Sequence, residues 1–151
     1  MQLNLEINNA TQSPIADSFL VAVAEKTIQE LITELNHEFL KEKDISISLA
    51  LVSPEEIQKL NKEYRQKDDV TDILSFPEYE NLAQIKDAVD NELFLGELIL
   101  CYDDIEEYAR KENIALDQEL ANVVSHGVLH LLGFTHGEKM FGLQEKIKKD
   151  F

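Results

Sequence analysis

The sequence feature that most constrains this chain is a cluster of histidines near its C-terminal end. Three of the four histidines, His126, His130 and His136, follow the pattern H-x3-H-x2-G-x2-H, in which the glycine is Gly133. Residues four apart project from the same face of a helix, so His126 and His130 should lie one turn apart. Gly133 can adopt a positive φ and end that helix, which would turn the chain and return His136 beside the other two rings.

Three imidazoles at a chain reversal suit a single divalent metal ion. Zn²⁺ takes nitrogen ligands in a tetrahedral arrangement, and three protein ligands leave the fourth position open. An open position is typical of catalytic zinc sites, whereas structural zinc sites are closed and usually cysteine-rich. The pattern therefore predicts one Zn²⁺ per chain, held by His126, His130 and His136. The alternative, in which they are ordinary polar residues of an apolar helix, fits one histidine better than three.

The spacing is also that of the metzincin proteases, which read H-E-x-x-H-x-x-G-x-x-H. In those enzymes the glutamate after the first histidine is the general base for peptide hydrolysis. Gly127 occupies that position here and has no side chain to carry a carboxylate. Proteolysis is therefore disfavoured, although the ligand spacing is protease-like.

Three blocks of the sequence resemble the YbeY family of bacterial metal-dependent endoribonucleases. They are the histidine block His126–His136, an upstream block within Leu60–Pro77, and the short block Leu95–Leu98. The blocks occur in the family's order, and the resemblance covers essentially the whole chain. One departure is Thr135, because the family usually carries aspartate before its third histidine. That change removes a carboxylate of the kind that orients metal ligands.

The resemblance implies a zinc-dependent endoribonuclease that cleaves single-stranded RNA in ribosomal RNA maturation and ribosome quality control. It implies catalytic roles for Arg65 and for His130, which is also a metal ligand. The implied partners are single-stranded or ribosomal RNA, not DNA, and basic ribosomal proteins. From the sequence alone, an arginine at a helix C-terminus is usually a surface residue that compensates the helix dipole. The role of Arg65 therefore rests on the resemblance.

Charge supports an alternative function. The chain has 30 acidic and 14 basic residues, a net charge of −16, and such a surface repels RNA at long range. A ribosome-assembly factor that binds basic proteins, with a mainly structural metal, would fit this charge and Thr135. An acidic surface also serves solubility alone. Positive charge is nevertheless concentrated locally, at Lys59, Lys62, Arg65 and Lys67.

Length and composition predict one domain over residues 1–151 with a single apolar core, since 44% of the residues are hydrophobic. No run of 18 apolar residues occurs, so we expect no membrane span. The N-terminal residues lack the basic start and apolar run of a signal peptide. The single cysteine, Cys101, excludes an intrachain disulfide and is expected to be buried. We expect a cytoplasmic protein.

Hydrophobic periodicity predicts an α+β fold, a small mixed sheet of about four strands packed with about five helices. The predicted strands cover residues 1–8, 45–52, 73–76 and 93–102. A long helix should extend to Phe39, and Ser53 should cap the next one. Asp103 or Asp104 should cap a third helix and Asp117 the histidine helix. An acidic excursion over 78–91 should be at most weakly helical, and an amphipathic helix should follow the histidines.

Four further residues have predicted positions. Tyr64 should face the core. Asp72 should bond local backbone, the alternative being that it supports a metal ligand. Glu97 should face solvent at a sheet edge, the alternative being that it points into the site. Gly127 should allow backbone or substrate to approach the histidine helix closely.

Overall fold

A computed structural model describes all 151 residues and contains one four-stranded sheet and six α-helices. The strands are β1 (Gln2–Asn9), β2 (Asp44–Leu51), β3 (Ile73–Pro77) and β4 (Glu92–Leu100). The helices are α1 (Asp17–Leu35), α2 (Pro54–Arg65), α3 (Leu82–Asp87), α4 (Tyr102–Lys111), α5 (Leu116–Leu131) and α6 (Glu138–Lys148), with a 3₁₀ helix at Glu38–Glu42. The predicted α+β fold is confirmed. No helix combines the length and the apolar character that a membrane span requires.

The sheet has the strand order β1-β2-β4-β3. β1, β2 and β4 are parallel, and β3 lies antiparallel to β4 at one edge. The main core is a cluster of 29 buried residues, drawn mainly from β2, β4, α1, α5 and α6. α5 lies at the centre of this packing, because it contacts α1, α4, α6, β3 and β4. The histidine helix is thus held on most sides.

A bulge in β4 lets α5 approach the sheet. Phe94 pairs with Ser46 and Gly96 pairs with Ile47, so Leu95 has no partner on β2. Gly96 has a φ of +138°, and a Cβ there would lie 3.0 Å from Leu131 Cδ2 and would overlap the Phe76 carbonyl oxygen. A side chain here would collide first with the backbone of β3 and would also press on Leu131 at the end of α5.

α2 packs in a second, smaller apolar cluster on the other side of β3 and β4. Ile57 of α2 is fully buried there with Leu74 and Cys101, as predicted for the cysteine. Burial raises the pKa of the Cys101 thiol. This packing brings the C-terminal end of α2, and with it Arg65, to the edge strand β3. Glu97 is exposed, as predicted, but β4 lies between β2 and β3, so the predicted edge position is wrong.

The predicted cap of α2 is confirmed. Ser53 Oγ accepts a hydrogen bond from the Glu56 backbone N–H at 3.2 Å, and Pro54 is the first helical residue. The predicted caps of α4 and α5 are wrong. These helices start after Cys101 and Ala115, with no side-chain cap bond, so the predicted aspartates lie in the first turns. An aspartate there still favours the helix by its interaction with the dipole.

Two other predictions are wrong. α1 ends at Leu35, because Asn36 adopts the left-handed conformation with a φ of 55°, and Phe39 belongs to the 3₁₀ helix. Tyr64 is 52% exposed and does not enter the core. Its ring meets Phe76 edge-on at 5.3 Å, so the tyrosine packs over the edge of the smaller cluster.

We expect Gly96→Ala to lower the free energy of unfolding by about 2–3 kcal/mol, since it adds overpacking to an unfavourable φ. Urea denaturation of metal-free protein measures this. Gly142→Ala is the matched control, because Gly142 lies within α6 with no atom within 4 Å of an added Cβ. That change should raise stability by about 0.5–1 kcal/mol. Equal stability of the Gly96→Ala variant and the unaltered protein would contradict the packing role of Gly96.

Candidate metal centre

A tight turn at the end of α5 brings the three histidines together. The Gly133 N–H donates to the His130 carbonyl and the Phe134 N–H donates to the Leu129 carbonyl, both at 3.0 Å. This pair of bonds, with a φ of +92° at Gly133, is a Schellman motif. The predicted helix-ending role of Gly133 is confirmed, and the reversed chain carries His136 back beside the helix.

The three imidazoles converge through their Nε2 atoms. His126 Nε2 lies 2.9 Å from His130 Nε2 and 3.2 Å from His136 Nε2. One ligand atom from each of the three residues lies within 4.8 Å of the others. A tetrahedral ion with Zn–N bonds of about 2.0–2.1 Å separates its ligand nitrogens by about 3.3 Å. The three histidines could therefore hold one metal ion.

Hydrogen bonds at the other ring nitrogen fix the tautomer of His130. Its Nδ1 lies 2.9 Å from the Phe134 carbonyl oxygen. A carbonyl oxygen only accepts, so Nδ1 carries the proton and Nε2 carries a lone pair. The turn that positions His136 therefore also prepares His130 as a ligand.

A relay through α6 fixes His126 in the same way. Gln144 Nε2 donates to both the backbone oxygen and Oδ1 of Asn122, at 3.2 Å each. This orients the amide, so Gln144 Oε1, at 3.3 Å from His126 Nδ1, accepts the ring proton. Two Nε2 lone pairs, on His126 and His130, then face each other at 2.9 Å. A cation between them would relieve that repulsion, which fits a metal site.

Gln144 and Asn122 were not predicted as site residues. Gln144 is only 5% exposed and lies beside Leu143 on the buried face of α6. A polar residue at an apolar position of an amphipathic helix was the available signal. Its partner could not be read from the sequence, because the partner lies on another helix.

Burial lowers the pKa of both His126 and His130. Removal from water disfavours the charged imidazolium, so both rings are neutral near neutral pH. Only a neutral imidazole has the lone pair that binds a metal ion.

The centre opens into a cleft of about 770 Å³, and the structure brings Arg65 into the same cleft. Arg65 Nη2 donates to the Ser75 carbonyl at 2.6 Å, and its guanidinium carbon lies 5.1 Å from the Phe76 ring centroid. These two contacts hold a largely exposed side chain in place. Arg65 and the three histidines, far apart in sequence, therefore share one cleft.

The remaining predicted residues have mixed outcomes. Asp72 Oδ1 accepts the Ile73 backbone N–H at 2.7 Å, as predicted, and Asp72 also lines the cleft. Gly127 faces the sheet and not the cleft, since a Cβ there would lie 2.5 Å from Ile73 Cδ1 and 2.9 Å from Leu98 Cδ2. The prediction that Gly127 admits backbone or substrate is wrong, because sheet side chains occupy this space. A carboxylate at this position would point into apolar contacts.

Thr135 is exposed and its hydroxyl makes no hydrogen bond to a histidine ring. His136 Nδ1 likewise has no partner in the protein. His136, itself exposed, is thus the histidine whose orientation the chain fixes least.

The chain matches one family of known proteins over most of its length. The family model described as "Endoribonuclease YbeY" matches residues 6–151. A Zymomonas mobilis protein of that description is 37% identical over 119 residues, which is 76% of this chain and 68% of the relative. One from Staphylococcus carnosus is 36% identical over 129 residues, 82% of this chain and 84% of the relative. The solution structure of a Thermotoga maritima protein matches with a TM-score of 0.60 and 30% identity, covering 97% of this chain and 88% of that one.

We expect Gln144→Ala to weaken zinc binding by roughly 10–100-fold, since loss of a residue that orients a ligand has an effect of this size. Competition with a chelating dye measures the dissociation constant. Gln118→Ala is the matched control, because Gln118 lies on α5 outside the relay. Equal zinc affinity of the Gln144→Ala and Gln118→Ala variants would show that the relay does not orient His126.

Proposed function

The chain belongs to the YbeY endoribonuclease family, and we propose that it is a zinc-dependent endoribonuclease that hydrolyses phosphodiester bonds of single-stranded RNA. The proposal extends to ribosomal RNA maturation and ribosome quality control in the cytoplasm. The observation that carries it is the meeting of three metal-competent histidines with Arg65 in one cleft. Relatives described as endoribonucleases match over most of their length, which supports the reaction class.

His126, His130 and His136 would hold the ion through Nε2. When bound, a divalent ion at such a site polarises a phosphoryl oxygen and makes water acidic enough to act as the nucleophile near neutral pH. Gln144 and the Phe134 carbonyl keep the first two rings in the required tautomer. His130 thus serves catalysis as a ligand.

Arg65 would bind the phosphate that is cleaved. Its planar guanidinium has five N–H groups and binds two phosphate oxygens at once better than a lysine does. The Ser75 carbonyl occupies only one nitrogen, Nη2, so donors are left for a phosphate. Because Ser75 and the Phe76 ring already fix the side chain, little of its freedom would be lost on binding RNA.

The charges that line the cleft give the metal ion a role in binding RNA. Arg65 and Lys67 line it, but so do three carboxylates, those of Asp72, Glu119 and Glu145. By formal charge the lining residues are therefore slightly acidic without an ion, and one divalent ion would make their sum positive. A cleft that is locally positive could bind RNA although the chain as a whole has a net charge of −16.

A ribosome-assembly factor with a mainly structural metal is the second candidate, favoured by the acidic surface and by Thr135. It predicts tight binding to ribosomal particles without cleavage, and unfolding when the metal is removed. Proteolysis has no support in the structure, because Gly127 is directed at the sheet.

The double variant His126→Ala, His130→Ala should lose both zinc and cleavage. About one zinc per chain is expected in the unaltered protein only, measured by elemental analysis of purified samples. Cleavage is assayed on labelled single-stranded RNA with the same samples. Zinc in the unaltered protein without any cleavage would contradict the enzyme and favour the assembly factor.

Arg65→Ala should retain zinc but lose cleavage, with kcat/KM reduced roughly a hundredfold or more, since it removes stabilisation of charge that develops on the phosphate. Arg110→Ala is the control, because Arg110 is exposed and pairs only with Glu106 on α4. If the Arg65→Ala variant cleaved RNA as fast as the Arg110→Ala variant, the role assigned to Arg65 would be wrong.

A further inference from the structure

Phe141 gives the cleft an aromatic surface that the metal chemistry does not use. The other large apolar residues of α6, Met140, Leu143 and Ile147, are buried in the core. Phe141 instead lines the cleft and is 50% exposed. Apart from the three histidines, it is the sole aromatic residue among those that line the cleft.

The Phe141 ring lies next to the metal centre. Its centroid is 6.2 Å from that of His136, and the two rings are inclined by only 23°. The cations of the cleft, Arg65 and Lys67, come from the end of α2 and the loop after it, whereas Phe141 comes from α6. One cleft thus combines an aromatic face, a metal centre and cationic side chains.

We propose that Phe141 is a stacking platform for a nucleobase adjacent to the phosphate that is cleaved. This inference rests on the proposed function and names a part of its substrate. Single-stranded nucleic acids are bound by cationic grooves with aromatic side chains on which bases stack. A base within a duplex has no free face to offer, so this contact would select unpaired RNA. Because every base has a π-face, the contact selects strandedness and not sequence.

The test compares Phe141→Ala with Phe141→Trp and with Tyr108→Ala. Tyr108 is also 50% exposed but lies outside the cleft lining, so it controls for loss of an exposed aromatic ring. All proteins are assayed at saturating zinc on one labelled single-stranded RNA. We expect Phe141→Ala to raise KM roughly five- to hundredfold, the range of one lost base stack. Phe141→Trp should restore KM, and Tyr108→Ala should leave it unchanged.

A second arm identifies the base. A series of RNAs carries one abasic nucleotide at each position around the cleavage site. In the unaltered protein, one abasic position should raise KM as much as Phe141→Ala does. In the Phe141→Ala variant, the same abasic position should have no further effect, because the partner ring is already absent.

The outcomes separate this inference from the proposed function. A normal KM in the Phe141→Ala variant, or an abasic penalty that is undiminished in it, overturns the stacking role and leaves the endoribonuclease proposal intact. The Phe141→Ala variant could instead bind zinc more weakly and have a normal KM at saturating zinc. That result also overturns the stacking role, and it shows that Phe141 supports His136. If the unaltered protein neither binds nor cleaves RNA, the proposed function fails, and the stacking role fails with it.

Discussion

The candidate metal centre depends on the reversal of the chain at Gly133. A Cβ at this residue would lie 2.7 Å from Asn81 Cα, and its φ is positive, so glycine is required for two separate reasons. The turn does two things at once. It delivers the Phe134 carbonyl to His130 Nδ1, and it returns His136 to the exposed side of the helix. One backbone conformation thus sets both the tautomer of His130 and the location of His136.

The position of α5 gives the centre its rigidity. Gly127 lets the helix lie directly on Ile73 and Leu98, and Gly96 lets its last turn lie against the bulge of β4. Most residues of α5 are buried. His126 and His130 therefore project from an element with little freedom to move. A site on such an element holds its geometry better than one on a loop.

The sequence alone was sufficient for features that depend on neighbours along the chain. The histidine spacing, the positive φ at Gly133 and the Ser53 cap each involve residues within about one or two helical turns. Features that depend on another element could not be predicted. Periodicity placed the buried face of α6 but not the contact between Gln144 and His126, which are 18 residues apart. The apolar periodicity of the first helix also continues past Leu35, so it did not reveal that the left-handed Asn36 ends α1.

Because Gln144 lies on α6 and His126 on α5, the centre has its final form only while these two helices are packed together. Partial unfolding that releases α6 would take the relay from His126 and leave the cleft without Phe141. The orientation of His126 therefore depends on the C-terminal packing. A candidate site built this way would lose part of its lining if α6 alone unfolded, even while the sheet remained intact.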